Sequence, residues 1–393
     1  MNSERWVGVG SARMAERSRQ DEDAVTDAVR RATTQALAGR SASAIVVLAR
    51  WTLDLAVVAR TVTELAGAAV VVGSSSQTVY ARDDSLPSDV VITALGGQGL
   101  SARGMLSSHQ DPTARGAEVA AAADGLSDAH RVVVLLPAGT TGDHQEVVRA
   151  AYEHLGPTVP LAGGGSTGDL VQRRSWQFLG REVVENGLVG LALGSDRPLG
   201  IGTAHGYHRT GQGMVVTESD GLLVRGLDGR GALDVYREHL VAAGVEVADG
   251  LDGDGWGRLA SSHPLGLARR RRDEARTVIA VHPDQGALEF VSAVPQGSLV
   301  HLLSGTEDDM IAGARAACDE AVGALDLPAG GVILFSCLAR EALLGGTGHL
   351  AEKAAARTAS ASQNVVLAYS AGEIARVRGS AGCHNQTVVA LAL

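Results

Sequence analysis

The sequence predicts an α/β fold of repeated strand–helix–strand–strand units forming mixed sheets, and three observations carry that prediction. Short Val/Ile/Leu runs of strand length alternate with stretches whose apolar residues recur every three or four positions. The same order of pieces occurs three times along the chain. In each copy the second strand runs into a polar stretch rich in Gly and Ser.

The first copy is VVLAR (46–50), a helix, VVVGSSS (70–76) and DVVITALGG (89–97). The second is VVVLLPAG (132–139), a helix, PLAGGGSTGD (160–169) and LVGLALG (188–194). The third is GVILFSCLAR (331–340), a helix, NVVLAYSAGE (364–373) and HNQTVVALAL (384–393). Apolar runs this continuous suit strands covered on both faces. Each strand–helix–strand crossover should be right-handed and parallel, with the last strand folding back.

The helices follow from their stripes. Val25, Val29, Ala32 and Ala36 share a face, with Gly39 as the stop; Leu55, Val58, Val62 and Leu65 share another, stopped by Gly67. Asp143 with Glu146 resembles a capping box ahead of Val147, Ala151 and Leu155, and Gly156-Pro157 ends that helix. Thr306 with Asp309 caps a stripe of Ile311, Ala314, Cys318, Ala321 and Leu325, which makes Cys318 a small core residue. Two turns read as hairpins: Asn186-Gly187, between EVVE and LVGLALG, and PDQG (283–286).

Composition narrows the function. The 393 residues favour about two or three domains. A net charge of −10 argues against general binding to nucleic acid or anionic membranes. The basic run Arg269–Arg272 meets Asp273 and Glu274 at once and reads as a solvated loop. Three cysteines without a CxxC pair suggest neither a disulfide framework nor structural zinc. Neither a signal-peptide core nor an apolar run of about 18 residues is found, so a cytoplasmic protein without a membrane span is expected.

Ligands of α/β folds gather at the ends of parallel strands, which directs attention to GGGSTGD, FSCLAR, YSAGE and HNQT. GGGSTGD is not a P-loop, because no lysine follows; Lys353 is the sole lysine of the chain. It does match G-x-S-x-G at Gly164, Ser166 and Gly168, and Glu373 and His384 follow in the chain order of a hydrolase triad. The nucleophile elbow requires a helix after Ser166, whereas LVQRRSWQFLG reads as extended. The other reading is a turn where Gly164 and Gly165 offer backbone N–H groups and Asp169 a carboxylate. Cys337 ends a strand, facing a ligand or simply buried; Arg340 can meet an anionic group or cap a helix. Glu373 can meet an amine or a structural cation. His384 and Asn385, as neighbours on a strand, need not face one site.

These residues resemble the FIST domain family of sensory modules. The resemblance rests on HPLG (263–266), VPQG (294–297), TEDDM (306–310), ILFSCLAR (333–340), AGEIA (371–375) and HNQTVVALAL (384–393), on the junction 215–236, and on PLAGGGSTGD in the N-terminal half. It covers nearly the whole chain, with an N-terminal FIST domain over about 20–222 and a C-terminal one over about 229–393. The approach to GEI is reduced here to LAYSAGEI. The resemblance implies a non-enzymatic sensor that binds a small ligand such as an amino acid and signals through a separate protein. The expected ligand-binding residues are Gly164, Gly165, Asp169, Cys337, Arg340, Glu373, His384 and Asn385. Alternatives are a haem-binding nitric-oxide sensor, with His384, His205 or Cys337 as iron ligand, a protein-interaction module, and the Ser166 hydrolase.

Overall fold

In a computed structural model, which describes residues 5–393 except 83, 140, 142, 249–250, 252, 270–271 and 378–381, all three units are present, and each is larger than the sequence suggests. The first comprises β1 (Trp6–Ala12), α1 (Glu22–Leu37), β2 (Ala44–Arg50), α2 (Leu55–Leu65), β3 (Val70–Ser76), β4 (Val79–Ala81) and β5 (Val90–Gly96). The second runs through β6 (Leu100–Ser107), α3 (Pro112–Ala120), β7 (His130–Pro137), α4 (His144–Leu155), β8 (Leu161–Gly164), β9 (Trp176–Leu179), β10 (Glu182–Glu185) and β11 (Leu188–Ser195).

The third unit opens with β12 (Gly200–Ala204) and is then interrupted. The interruption holds β13 (His208–Asp220), β14 (Leu223–Leu227), β15 (Arg230–Gly231), α5 (Ala232–Ala242), α6 (Gly253–Ser262), β16 (Leu265–Leu267), β17 (Glu274–Arg276), β18 (Val278–His282), β19 (Ala287–Phe290) and β20 (Leu299–Ser304), with its own core. The unit resumes at α7 (Glu307–Val322), β21 (Val332–Cys337), α8 (Leu338–Ser360), β22 (Val365–Ser370), β23 (Glu373–Arg376), β24 (Gly382–His384) and β25 (Val388–Ala392).

The three sheets share one topology: their orders begin β1-β5-β2-β3, β6-β11-β7-β8 and β12-β25-β21-β22. In each, the strand–helix–strand pair is parallel and the last strand returns antiparallel, as predicted. What lies between the third and last strands leaves its own sheet. The β9–β10 hairpin extends the first sheet at β3, β23–β24 extends the second at β8, and β4 joins the third at β22. Each unit therefore completes the sheet of another, in a closed ring.

That exchange corrects one expectation. Asn186-Gly187 is not a hairpin turn, because β10 pairs with β9 while β11 lies between β6 and β7. Asn186 takes φ 55° to carry the chain from one sheet into the next. The PDQG turn does join β18 to β19.

Alternation along the strands sorts the side chains. Val46, Leu48, Val134, Leu136, Ile333 and Phe335 point inward, where all three sheets contribute to one core. Ile45, Val47, Val133, Leu135, Val332 and Leu334 point outward against the helices of their own unit. The helix starts follow the sequence: Asp21, Asp54, Asp111 and Asp143 each accept two backbone N–H groups. Thr306 and Asp309 form the predicted capping box. At Asp143 the cap is one-sided, since Glu146 turns to Arg149. In the basic run, Arg269 meets Glu274 at 3.2 Å and Arg272 reaches the Thr203 carbonyl, while 270–271 lie outside the described residues. Among the described residues, no helix is long and apolar enough to cross a membrane.

Candidate functional site

The strand-end residues expected to bind a ligand come together only in part, and most are committed to the interior. Gly164 and Glu373 face each other across β8 and β23, and Glu373 stands opposite His384 across β23 and β24. Glu373 is fully buried; it accepts from Thr387 N–H at 3.2 Å and Thr387 Oγ1 at 3.0 Å, and its Oε1 lies 3.1 Å from Ser370 Oγ. Burial pushes its carboxyl up to about 8, against those hydrogen bonds. Cys337 adjoins it, and burial pushes that thiol up as well. Asn385 donates to the His384 carbonyl, and its Oδ1 is buried with no partner among the described residues.

Several expectations need correction. Arg340 is not poised for an anionic ligand. It is fully buried, bonds Glu352 at 2.8 Å, and spends its remaining donors on Ser336 Oγ and the carbonyls of His205 and Met310. Asp169 caps its own turn by accepting from Val171 and Gln172 N–H. Gly164 and Gly165 serve the packing of units rather than a ligand: a Cβ on Gly165 would lie 2.2 Å from the Ala371 carbonyl oxygen, and one on Gly164 2.8 Å from Ser370 Cβ. The two histidines offered as haem ligands are also engaged. His205 holds the Asp273 carbonyl with Nε2 and accepts from Tyr207 N–H at Nδ1. His384 Nε2 meets the Ala375 carbonyl at 3.0 Å. No helix follows Ser166; its hydroxyl is buried and unpartnered among the described residues.

A cavity of about 170 Å³ lies instead at the end of β7, between the first turns of α3 and α4, with Gln110, Arg115, Thr141, His144 and Asn186 among its walls. Asp111 and Pro112 start α3 and place Arg115 in its first turn. Its Nε and Nη2 donate to the His109 carbonyl, while Nη1 has no partner among the described residues. His144 is the first residue of α4. Its Nε2 lies 2.7 Å from the Ala138 carbonyl, which can only accept, so Nε2 carries the proton and Nδ1 keeps a lone pair. Burial lowers its pKa and the Arg115 charge lowers it further, so the ring is a neutral acceptor. Thr141 Oγ1 is buried without a partner among the described residues.

The internal repeat shows what is special here. Arg115 stands four residues beyond its helix cap, as do Val25 in α1 and Met310 in α7. In the first unit Val25 belongs to one apolar cluster with Leu53 and Leu55, and in the third Met310 belongs to one with Tyr207 and Leu344. Two units thus fill the place with apolar side chains, while the second sets an arginine beside a cavity. Paired with a neutral imidazole, that arginine can take an anionic group at one end of a small molecule and leave His144 Nδ1 to accept from an N–H or O–H at the other. The strand-end rule could have found His144, which opens the helix that follows β7. Arg115 gave no local signal, and Asn186 only that of a turn.

Two protein-family models match the chain, the FIST N domain over residues 42–230 and the FIST C domain over residues 232–376. No curated protein matches. Among solved structures, the crystal structure of a cyanuric acid hydrolase from A. caulinodans aligns with 49% of this chain and 71% of its own, at 10% identity and a TM-score of 0.28, a score from which no shared activity follows.

Proposed function

Since the chain belongs to the FIST family, we propose that it is a sensory protein that reversibly binds a small polar metabolite in the cavity between α3 and α4. The observation that carries this reading is Arg115, with Nη1 unpartnered among the described residues, set beside the neutral His144 where the other two units hold Val25 and Met310. An amino acid has both an anionic end and a donor, and a cavity of about 170 Å³ suits a ligand well below drug size. A haem would need far more room. The function is binding rather than chemistry, with the signal passed to a separate protein. A cytoplasmic setting accords with cysteines that are all free thiols.

Thermal-shift and calorimetric titration against the amino acids and small carboxylates tests the proposal. At least one should raise the melting temperature of the parent protein and fail to do so for Arg115→Met. An equal shift in that variant would remove the cavity from consideration.

A further inference from the structure

We infer that the chain carries a second small-molecule site, on the first unit where the third unit backs it, for a neutral polyhydroxylated ligand of monosaccharide size. A cavity of about 420 Å³ opens there between the end of β1 and the segment leading into β5. The Asp84 carboxylate is part of its wall. One oxygen, Oδ2, accepts from Ser11 Oγ and Ser88 Oγ, both at 2.9 Å, which fixes the group and leaves Oδ1 without a partner among the described residues.

The wall behind is pinned from the third unit. Lys353 Nζ donates to the Asp84 carbonyl, and His349 Nε2 meets the Ser85 carbonyl at 3.3 Å. His349 itself stacks on Tyr80 with ring centroids 4.3 Å apart. A carboxylate held by two hydroxyls on a backbone held by two side chains is pre-organised, which lowers the ordering cost of binding. Arg13 and Ser85 are exposed on the rim, and Leu86, 54% exposed, is its apolar surface.

The charges select the ligand class. A simple cation entering the cavity would meet Arg13 and the nearby ammonium of Lys353; a simple anion would meet Asp84. Ligand hydroxyl groups donate to Asp84 Oδ1 and to the oxygens of Ser11 and Ser88, whose own protons go to Oδ2, and accept from Arg13. The C–H face of a sugar ring or polyol can lie on Leu86. This site is independent of the one at Arg115.

The test is calorimetric titration of the full chain with glucose, galactose, ribose, myo-inositol and, as the zwitterionic comparison, glycine. At least one polyol should bind, ~10-fold or more weakly in Asp84→Asn, since a hydrogen bond to a charged group is lost. Arg13→Ala, a change at an exposed side chain that should leave the fold intact, should weaken it likewise, and Arg115→Met should leave it unchanged. Absence of polyol binding to folded parent protein, unchanged affinity in Arg13→Ala, or binding of glycine but no polyol would each overturn the assignment.

Discussion

Glu373 and Gln177 occupy the same position of the repeat. Gln177 faces Ser74 across β9 and β3, and Glu373 faces Gly164 across β23 and β8. Gln177 Oε1 accepts from Gly187 N–H at 2.6 Å; Glu373 Oε2 accepts from Thr387 N–H at 3.2 Å, and Gly187 and Thr387 lie just ahead of the last strands of their units. One unit thus holds a neutral amide where the next holds a carboxyl. Ser370 Oγ, with a single proton, lies 3.2 Å from the Ser336 carbonyl and 3.1 Å from Glu373 Oε1. If Ser370 donates to that carbonyl, Glu373 must itself donate to Ser370. A protonated Glu373 satisfies the whole set.

The Glu373 carboxyl titrates near 8 in the folded protein and near 4.5 when unfolded, so its folded form binds the proton more tightly. Its favourable contribution is complete below the unfolded value and is lost as pH rises toward 8, at up to ~1.4 kcal/mol per pH unit. The isosteric change Glu373→Gln should flatten the dependence of melting temperature on pH between 5 and 9 and make the variant the more stable protein at the alkaline end. A parent profile that the substitution leaves unchanged would refute a neutral Glu373.

The Arg340–Glu352 pair should behave in the opposite manner. Burial opposes the Arg340 charge, but Glu352 at 2.8 Å outweighs it and holds the guanidinium pKa above its ordinary value. Removing one partner strands the other, so Arg340→Ala should cost about 3–5 kcal/mol in urea unfolding. A combined Arg340→Met and Glu352→Gln variant should recover part of that loss. A cost below ~1 kcal/mol for Arg340→Ala would mean that water reaches the pair.

The α/β alternation, the parallel crossovers, the capping box at Thr306 and the turn after β18 could be read from local pattern, because each depends on residues a few positions apart. The first strand of each unit could not. In β1 and β12 the glycines Gly8, Gly10, Gly200 and Gly202 dilute the apolar signal, and their purpose shows only in three dimensions: a Cβ on any of them would fall about 2 Å from a carbonyl oxygen of α1 or α7. The strand-end rule directed attention to the inner face of the sheets, where Glu373 and Cys337 are enclosed. The cavity lies on the outer face, assembled from three separate stretches that place Arg115, His144 and Asn186 together.

Gly372 links that cavity to the third unit. Its φ is 89°, and a Cβ there would lie 3.2 Å from His144 Nδ1. Gly372→Ala therefore meets both a left-handed backbone and a ring it must push aside, and should cost about 1–2 kcal/mol of stability. Displacing His144 should also weaken the ligand response at temperatures where the variant is still folded. An alanine variant as stable and as responsive as the parent would show that this glycine is dispensable.

Arg115→Met separates binding from folding most cleanly. The variant installs the side chain that the third unit already uses at this position, Met310, which is fully buried among Tyr207 and Leu344. Arg115 pays for its burial: it is 5% exposed, burial lowers its pKa, and its charge has no carboxylate hydrogen-bonded to it among the described residues. Methionine removes that cost and can fill part of the cavity, so stability should be unchanged or rise by ~1 kcal/mol. Ligand binding should fall to the limit of detection, because the anion loses its charged partner. Two measurements decide it, a urea midpoint and a titration with whichever metabolite shifts the parent protein. Marked destabilisation would show that the two bonds from Arg115 to the His109 carbonyl are structural, and retained binding would place the ligand elsewhere.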